Sequence, residues 1–284
     1  MAKNLSVDVS VIIPVYNRFD TLKRALNSVL IQTYKNIEVI IVDDGSDSDI
    51  GSAIVEYVKS LDDSRVRVVV NTHNRGVSYS RNLGISAGKS EFIAFLDSDD
   101  EWLQDKLMRQ VEYLKRYPDI NLVHTEEIWV RNGVRVNQKK IHAKSGGDIF
   151  NRSLHLCLIS PSSVLIRRTL IEKYGLFDES MQACEDYDLW LRITAFEDVG
   201  FIETPLIIKY GGHEDQLSKK YEIMDMLRCR SLVGLLSNPT LPDCRKHEIA
   251  VVLDQKLSVI YNGAVKRGNS SIIDECKRMR LNLQ

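Results

Sequence analysis

The stretch FIAFLDSDDEW, residues 92–102, decides how this chain reads. Five mostly apolar residues, Phe92 to Leu96, run straight into four carboxylates within five positions: Asp97, Asp99, Asp100 and Glu101, with Ser98 among them. A short apolar run bounded by polar residues is the pattern of a strand buried on both faces. Like charges set this close repel one another, so something positive is expected to face them: a basic side chain, a helix N-terminus or a metal ion.

The same unit, an apolar strand with a polar tip, recurs upstream. Val9–Val15 (VSVIIPV) is a continuous apolar run that ends around Pro14, Tyr16 and Asn17. Residues 20–31 follow as a helix, with Asp20 or Thr21 as its cap and Leu22, Ala25, Leu26, Val29 and Leu30 on one face. Residues 37–42 (IEVIIV) form a second strand that stops at the turn cluster Asp43-Asp44-Gly45-Ser46. Residues 49–61 read as a helix, Val66–Val70 as a third strand, and residues 78–87 as a helix ended by Gly88. Repeated βαβ units imply an α/β fold with a doubly wound, mostly parallel sheet flanked by helices. In such sheets ligands bind beyond the carboxyl ends of the strands. Four polar tips on one edge, at residues 14–17, 43–46, 71–76 and 97–100, therefore predict a ligand rim.

Beyond residue 103 the pattern changes. Residues 103–117 read as an amphipathic helix stopped by Pro118, which Asp100 and Glu101 could cap. Residues 121–130 and 134–141 read as a hairpin around Asn132-Gly133. Residues 143–160 are irregular, 164–166 a short strand, and 169–174 a short helix. Residues 185–196 form a helix that opens with acids, which suits its dipole, and residues 201–210 form a last strand. From Ser218 the chain reads as a helical appendage, in which Met224, Met226, Leu232 and Leu235 could pack on the core, form a homodimer or touch a membrane. The division is 1–217 as the main domain, with 1–103 and 104–217 as its two parts, and 218–284 as the appendage.

Composition narrows the partners. The 284 residues are 44% hydrophobic and 27% charged, ordinary for a globular protein, and the net charge of −1 argues against nucleic acid. Five scattered Cys without a CxxC, and no signal-like N-terminus, favour a reduced, cytoplasmic setting. No apolar run reaches the length of a membrane span, which leaves peripheral attachment at the inner face of a membrane open.

Several residues carry a chemical reading beside an ordinary one. Asp97 and Asp99 offer hard oxygen ligands for Mg²⁺ or Mn²⁺, or merely an acidic turn. Asp44 could accept from a base or ribose, or simply shape a tight turn. Tyr16 could stack on a base, or be a half-buried aromatic at a strand end. Arg81, on the exposed early part of its helix, could meet a diphosphate or pair with a neighbouring acid. Glu185 and Asp186 could take a proton from an attacking hydroxyl, or only cap a helix. His213, after Gly211-Gly212, could reach a metal or lie on the surface.

With these residues laid out, the chain resembles the family 2 glycosyltransferases, which use the GT-A fold. The likeness lies in VSVIIPVYNR (9–18), IEVIIVDDGSDS (37–48), NRGVSYSRNLGISAGKSEFIAFLDSDD (74–100), CEDYDLWLRI (184–193) and YGGHEDQLS (210–218). The resemblance implies that Pro14, Tyr16, Asn17 and Asp44 line a nucleotide pocket, with Arg81 near the diphosphate. It implies that Asp97, Ser98 and Asp99 form a DxD-like metal and sugar-nucleotide motif, that Asp186 is the general base beside Glu185, and that His213 touches the metal or a phosphate. The chain departs from the family by placing Gly211-Gly212 where an Arg and an aromatic often precede that His. The implied reaction is an inverting transfer from a nucleoside-diphosphate sugar, expected to be UDP-linked, to a hydroxyl of a glycan, lipid-linked or protein acceptor. Bacterial surface polysaccharide or glycoconjugate synthesis is the expected setting, with a divalent metal, Mg²⁺ or Mn²⁺, as cofactor.

The rival readings are a sugar nucleotidyltransferase, a phosphoacceptor receiver domain and a nucleotide-sugar- or glycan-binding protein without activity. The first should carry a Gly-rich basic loop where this chain has PVYNRFD. The second should be shorter and lack residues 184–193.

Overall fold

Every residue of β1 (Val9–Val15) is buried. This strand runs parallel to both its neighbours, with Val9 opposite Ile37 on one side and Phe92 on the other. Those neighbours are β2 (Ile37–Asp43) and β4 (Phe92–Phe95), and β3 (Val66–Val70) extends the parallel set beyond β2. The computed structural model describes residues 7–212 and 224–281. Because the four strands share one direction, their carboxyl ends line a single rim, as the βαβ pattern predicts. Helices α1 (Phe19–Leu30), α2 (Ser48–Ser60) and α3 (Val77–Ala87) connect them. Gly84 of α3 permits close helix–sheet packing, since a Cβ there would lie 2.4 Å from Ile12 Cγ2.

The second half turns the sheet mixed. A short strand, β8 (Leu165–Arg167), pairs antiparallel with β4 and with β6 (Leu122–Arg131). In turn β6 runs parallel to β9 (Gly200–Gly211). Antiparallel to β9 is β5 (Glu101–Trp102), and β7 (Val134–Val136) hangs on β6 as the expected hairpin. The order is β3-β2-β1-β4-β8-β6-β9-β5. Antiparallel pairing here carries β9 back to the acidic tip.

Local differences from the sequence pattern have packing causes. Glu101 and Trp102 join the sheet instead of leading into a helix, and α4 begins later, at Lys106–Arg116. Trp102 is buried, and its indole donates to Ser162 O at 2.8 Å. Burying so large a side chain outweighs local preference. At the first helix, α1 starts at Phe19 without a side-chain cap, so neither Asp20 nor Thr21 serves as one. The hairpin's second strand stops at Val136, and Lys140–His142 forms a 3-10 turn. Within the segment read as irregular lies α5 (Phe150–His155).

The C-terminal helices Met224–Leu236, Asp243–Arg267 and Ser270–Leu281 pack on the core. Met226, Leu232 and Leu253 share one apolar cluster with Phe150 and Leu154 of α5 and with Tyr187 and Leu191 of α7 (Glu185–Thr194). The tail thus supports the back of the helix that carries the second acidic motif. No helix among the described residues is long and apolar enough to cross a membrane. His213, with residues 214–218 of its motif, lies outside the described residues.

Leu232 has no exposed surface. Leu232→Ala should lower stability by about 2–5 kcal/mol, read as one cooperative transition in urea. Two separated transitions would show instead that the tail folds on its own.

Candidate active site

The acidic tip is built by hydrogen bonds from three directions. As the chain leaves β4, the Asp97 N–H donates to Ser162 Oγ at 3.1 Å. Ser162 Oγ in turn donates to Asp100 Oδ2 at 2.6 Å, and the Tyr210 N–H of β9 reaches Asp100 Oδ1 at 3.2 Å. Asp100 therefore fastens β9 and residues 161–163 to the tip and does not cap the next helix. Burial pushes its carboxyl well above the usual range, Lys209 opposes this, and Asp99 and Asp97 add to it. Ser98 is buried in the same turn. Arg18 Nη1 donates to Asp99 Oδ2 at 2.7 Å. Burial and then Asp97 raise the Asp99 carboxyl, with Arg18 acting against them. Arg24 donates to Asp99 O at 2.6 Å and lies 3.8 Å over the Tyr210 ring.

Arg81 joins this tip to the second acidic motif. Its Nη2 donates to Asp97 Oδ1 at 2.7 Å and its Nη1 to Glu185 Oε1 at 2.6 Å. Only 3% of Arg81 is exposed, in place of the exposed position expected from sequence. Burial would push the guanidinium down, but the two carboxylates more than reverse that, so it stays charged. Its Nε is buried without a hydrogen-bond partner. Burial also lifts the Glu185 carboxyl, and Arg81 pulls it back. A fork of this shape fits two carboxylates in one plane.

Asp186 follows Glu185 in the first turn of α7. Cys184, just before the helix, has φ +63°, a left-handed conformation that costs a non-glycine residue about 1–2 kcal/mol. That turn directs Glu185 inward to Arg81 and leaves Asp186 half-buried. Asp186 Oδ1 accepts the Tyr187 N–H at 2.7 Å, and Oδ2 accepts the Cys157 thiol at 3.5 Å. Burial, then Asp186, holds the Cys157 thiol well above its usual range, so it remains a protonated donor.

Further along the rim, Pro14 is buried in β1 and Tyr16 is 43% exposed beyond it. Asn17, at φ +51°, locks the end of β1 to the next loop: its N–H donates to Ser46 Oγ at 2.9 Å, and its Oδ1 accepts the Asp47 N–H at 2.9 Å. Asp44 Oδ1 accepts from Asn71 Nδ2 at 2.8 Å and the Arg75 N–H at 3.0 Å, and Oδ2 accepts the Gly76 N–H at 2.8 Å. Asp44 thus shapes the 71–76 loop, and any contact with a base adds to that task. The structure gathers Asp97, Asp99, Arg81, Glu185 and Asp186 into one site, with Pro14, Tyr16, Asn17 and Asp44 beside it on the same rim.

A second charge cluster was not singled out from sequence. Glu127 of β6 is buried. Lys144 Nζ lies 2.9 Å from Glu127 Oε1, the Ser160 hydroxyl donates to the same oxygen, and Trp129 Nε1 donates to Oε2 at 2.8 Å. Burial acts to raise the Glu127 carboxyl, yet Lys144 and Lys209 lower it to about 2. Lys209 of β9 lies nearby, acted on by Glu127, Asp100, Asp97 and Asp186. The available signal was a charged residue inside an apolar strand pattern, Glu127 in LVHTEEIWV and Lys209 in LIIKY. Among the described residues no group of three or more His, Cys, Asp or Glu side chains is arranged to hold a metal ion.

Comparison with known proteins places this geometry. A family model described as "Glycosyl transferase family 2" matches residues 10–175. An uncharacterized glycosyltransferase of Rickettsia felis is 36% identical over 287 residues, covering 96% of this chain and 45% of that protein. WfaP of Escherichia coli, a UDP-Glc:alpha-D-GlcNAc-diphosphoundecaprenol beta-1,3-glucosyltransferase, is 33% identical over 190 residues, covering 65% of this chain and 69% of that protein. The chain spans less than half the length of the Rickettsia felis relative. Among solved structures, S. aureus TarS 1-349 in complex with UDP-GlcNAc superposes with a TM-score of 0.71 at 20% identity, covering 97% of this chain and 79% of that one, which shows a shared fold.

The Glu127 carboxyl lies below its ordinary value of 4.5, at about 2. A depressed carboxyl adds stability above its unfolded value and loses it as pH falls through the folded one. The wild type should therefore weaken between about pH 4.5 and pH 2, and Glu127→Gln should show a shallower fall there. Urea midpoints measured across that window check this. Parallel curves for the two proteins would refute the ion-pair assignment.

Proposed function

This chain belongs to glycosyl transferase family 2, and on that premise we propose that it is an inverting transferase acting on a nucleoside-diphosphate sugar. One observation carries the reading: Arg81 bonds Asp97 and Glu185 at once, at 2.7 and 2.6 Å. The acids suited to the donor and the carboxylate suited to the acceptor therefore face one site. Asp186 takes the proton of the acceptor hydroxyl. The hydroxyl oxygen bonds to the anomeric carbon, and the bond from that carbon to the diphosphate oxygen breaks, its electron pair leaving with the nucleoside diphosphate. The anomeric carbon passes through an oxocarbenium-like state. UDP is the proposed carrier, and a lipid-linked sugar is the proposed acceptor, in line with the activity of the E. coli relative WfaP. Surface polysaccharide synthesis at a membrane face is the setting this implies.

Asp97 and Asp99 are also proposed to hold a divalent cation, Mg²⁺ or Mn²⁺. Both are hard oxygen donors on one turn, and each is matched to a guanidinium in the structure. Two carboxylates fit such an ion when phosphate oxygens and waters complete its shell. Bound there, it supplies charge neutralisation to the leaving diphosphate.

Asp186→Asn should lower transfer by about 10²–10⁴-fold, read as acceptor-dependent UDP release, while calorimetry shows the donor still bound. Near-normal turnover would remove Asp186 from the mechanism. Asp99→Ala should abolish the Mn²⁺-dependent part of UDP affinity; an unchanged dependence would rule out its role as ligand.

A further inference from the structure

Lys209 sits on β9 opposite Trp129 of β6. Side chains alternate along a strand, so Lys209, Trp129 and Glu127 share one face of the sheet. The charges acting on Lys209 come from every part of the site: Glu127 from β6, Asp100 and Asp97 from the acidic tip, and Asp186 from α7. It also acts on Asp99 and on the Cys157 thiol. Burial pushes its ammonium down, and the four carboxylates hold it above the ordinary lysine range. Yet the Lys209 ammonium makes no hydrogen bond or ion pair with any described residue; only its backbone is paired, in the ladder with β6.

Four other cations around the acids have partners of their own. Arg18 holds Asp99, Arg81 holds Asp97 and Glu185, Lys144 holds Glu127 and Leu158 O, and Arg24 holds Asp99 O and lies over the Tyr210 ring. A site lined by this many carboxylates repels an incoming phosphate unless cations meet it, and Lys209 is a protein-borne one in addition to any ion held by Asp97 and Asp99. A lysine ammonium, compact and with three donors, suits a phosphate oxygen. It also lies in the field of Asp97, on the proposed donor side, where negative charge develops on the leaving diphosphate as the glycosidic bond breaks.

We propose that Lys209 binds the diphosphate of the donor nucleotide and stabilises it as it leaves. This rests on the nucleotide-sugar reading above. The competing role is to balance the buried charges of Asp100 and Glu127 without touching substrate.

The test compares UDP, UMP and uridine as ligands of the wild type, Lys209→Met and Lys209→Arg by calorimetry, alongside acceptor-free donor hydrolysis. Lys209→Met should weaken UDP about 10- to 100-fold, leave uridine unchanged, and slow donor hydrolysis at saturating donor. Lys209→Arg should recover most of the UDP affinity. Unchanged UDP affinity in Lys209→Met, with only a lower Tm or a raised acceptor KM, overturns the inference and leaves the nucleotide-sugar reading standing. A wild type that binds no nucleoside diphosphate sinks both. Should Lys209→Met fail to fold, Lys209→Met combined with Asp100→Asn removes the cation and one acid it balances, and the same contrast between UDP and uridine decides.

Discussion

The site depends on one buried guanidinium. Arg81 comes from the helix after the third strand, Asp97 from the tip of the fourth, and Glu185 from a helix 104 residues later in the chain. The fork fixes the distance between the acidic tip and the second acidic motif more rigidly than flexible surface pairs could. Removing one partner from such a buried arrangement leaves an uncompensated charge, typically at a cost of ~3–5 kcal/mol. The same contact therefore couples folding to the geometry of the chemistry.

The charges around that fork form an alternating set. Asp99 meets Arg18, Asp97 and Glu185 meet Arg81, and Glu127 meets Lys144. Neutral donors hold Asp100, whose carboxyl is lifted by burial. The backbone around the site is anchored by the same groups: Ser162 links residues 161–163 to the tip, and Tyr210 brings the end of β9 against it. Behind α7 the C-terminal helices fill the apolar cluster that contains Tyr187 and Leu191. Among the described residues the tail adds no side-chain bond to that acid set, yet its burial helps seat the helix that carries Asp186.

Much of this was legible in the chain itself, because the signals were local. A continuous apolar run bounded by turn residues, such as Val9–Val15, reads as a strand buried on both faces, and it ends in a polar cluster at the rim. Asp44, Asp97 and Asp99 lie at such ends, and Arg81 joins Asp97 to Glu185 at the start of α7. Less legible were features decided by distant partners. Trp102 belongs to a strand because Ser28, Ser162 and β9 receive it. Arg81 is buried because two acids from separate segments close over it.

By itself, then, the sequence determined the parallel half of the sheet, the rim formed by its carboxyl ends and the identity of the acids there, since periodicity and turn chemistry act over a few residues. Only the tertiary structure decided which cation meets which acid, that Glu127 and Lys144 form a second buried pair, and that the Lys209 side chain stands among four carboxylates without a direct bond to any described residue. The physical reason is that Coulomb energy depends on separation in space and on burial. Neither quantity is written in the spacing of residues along the chain.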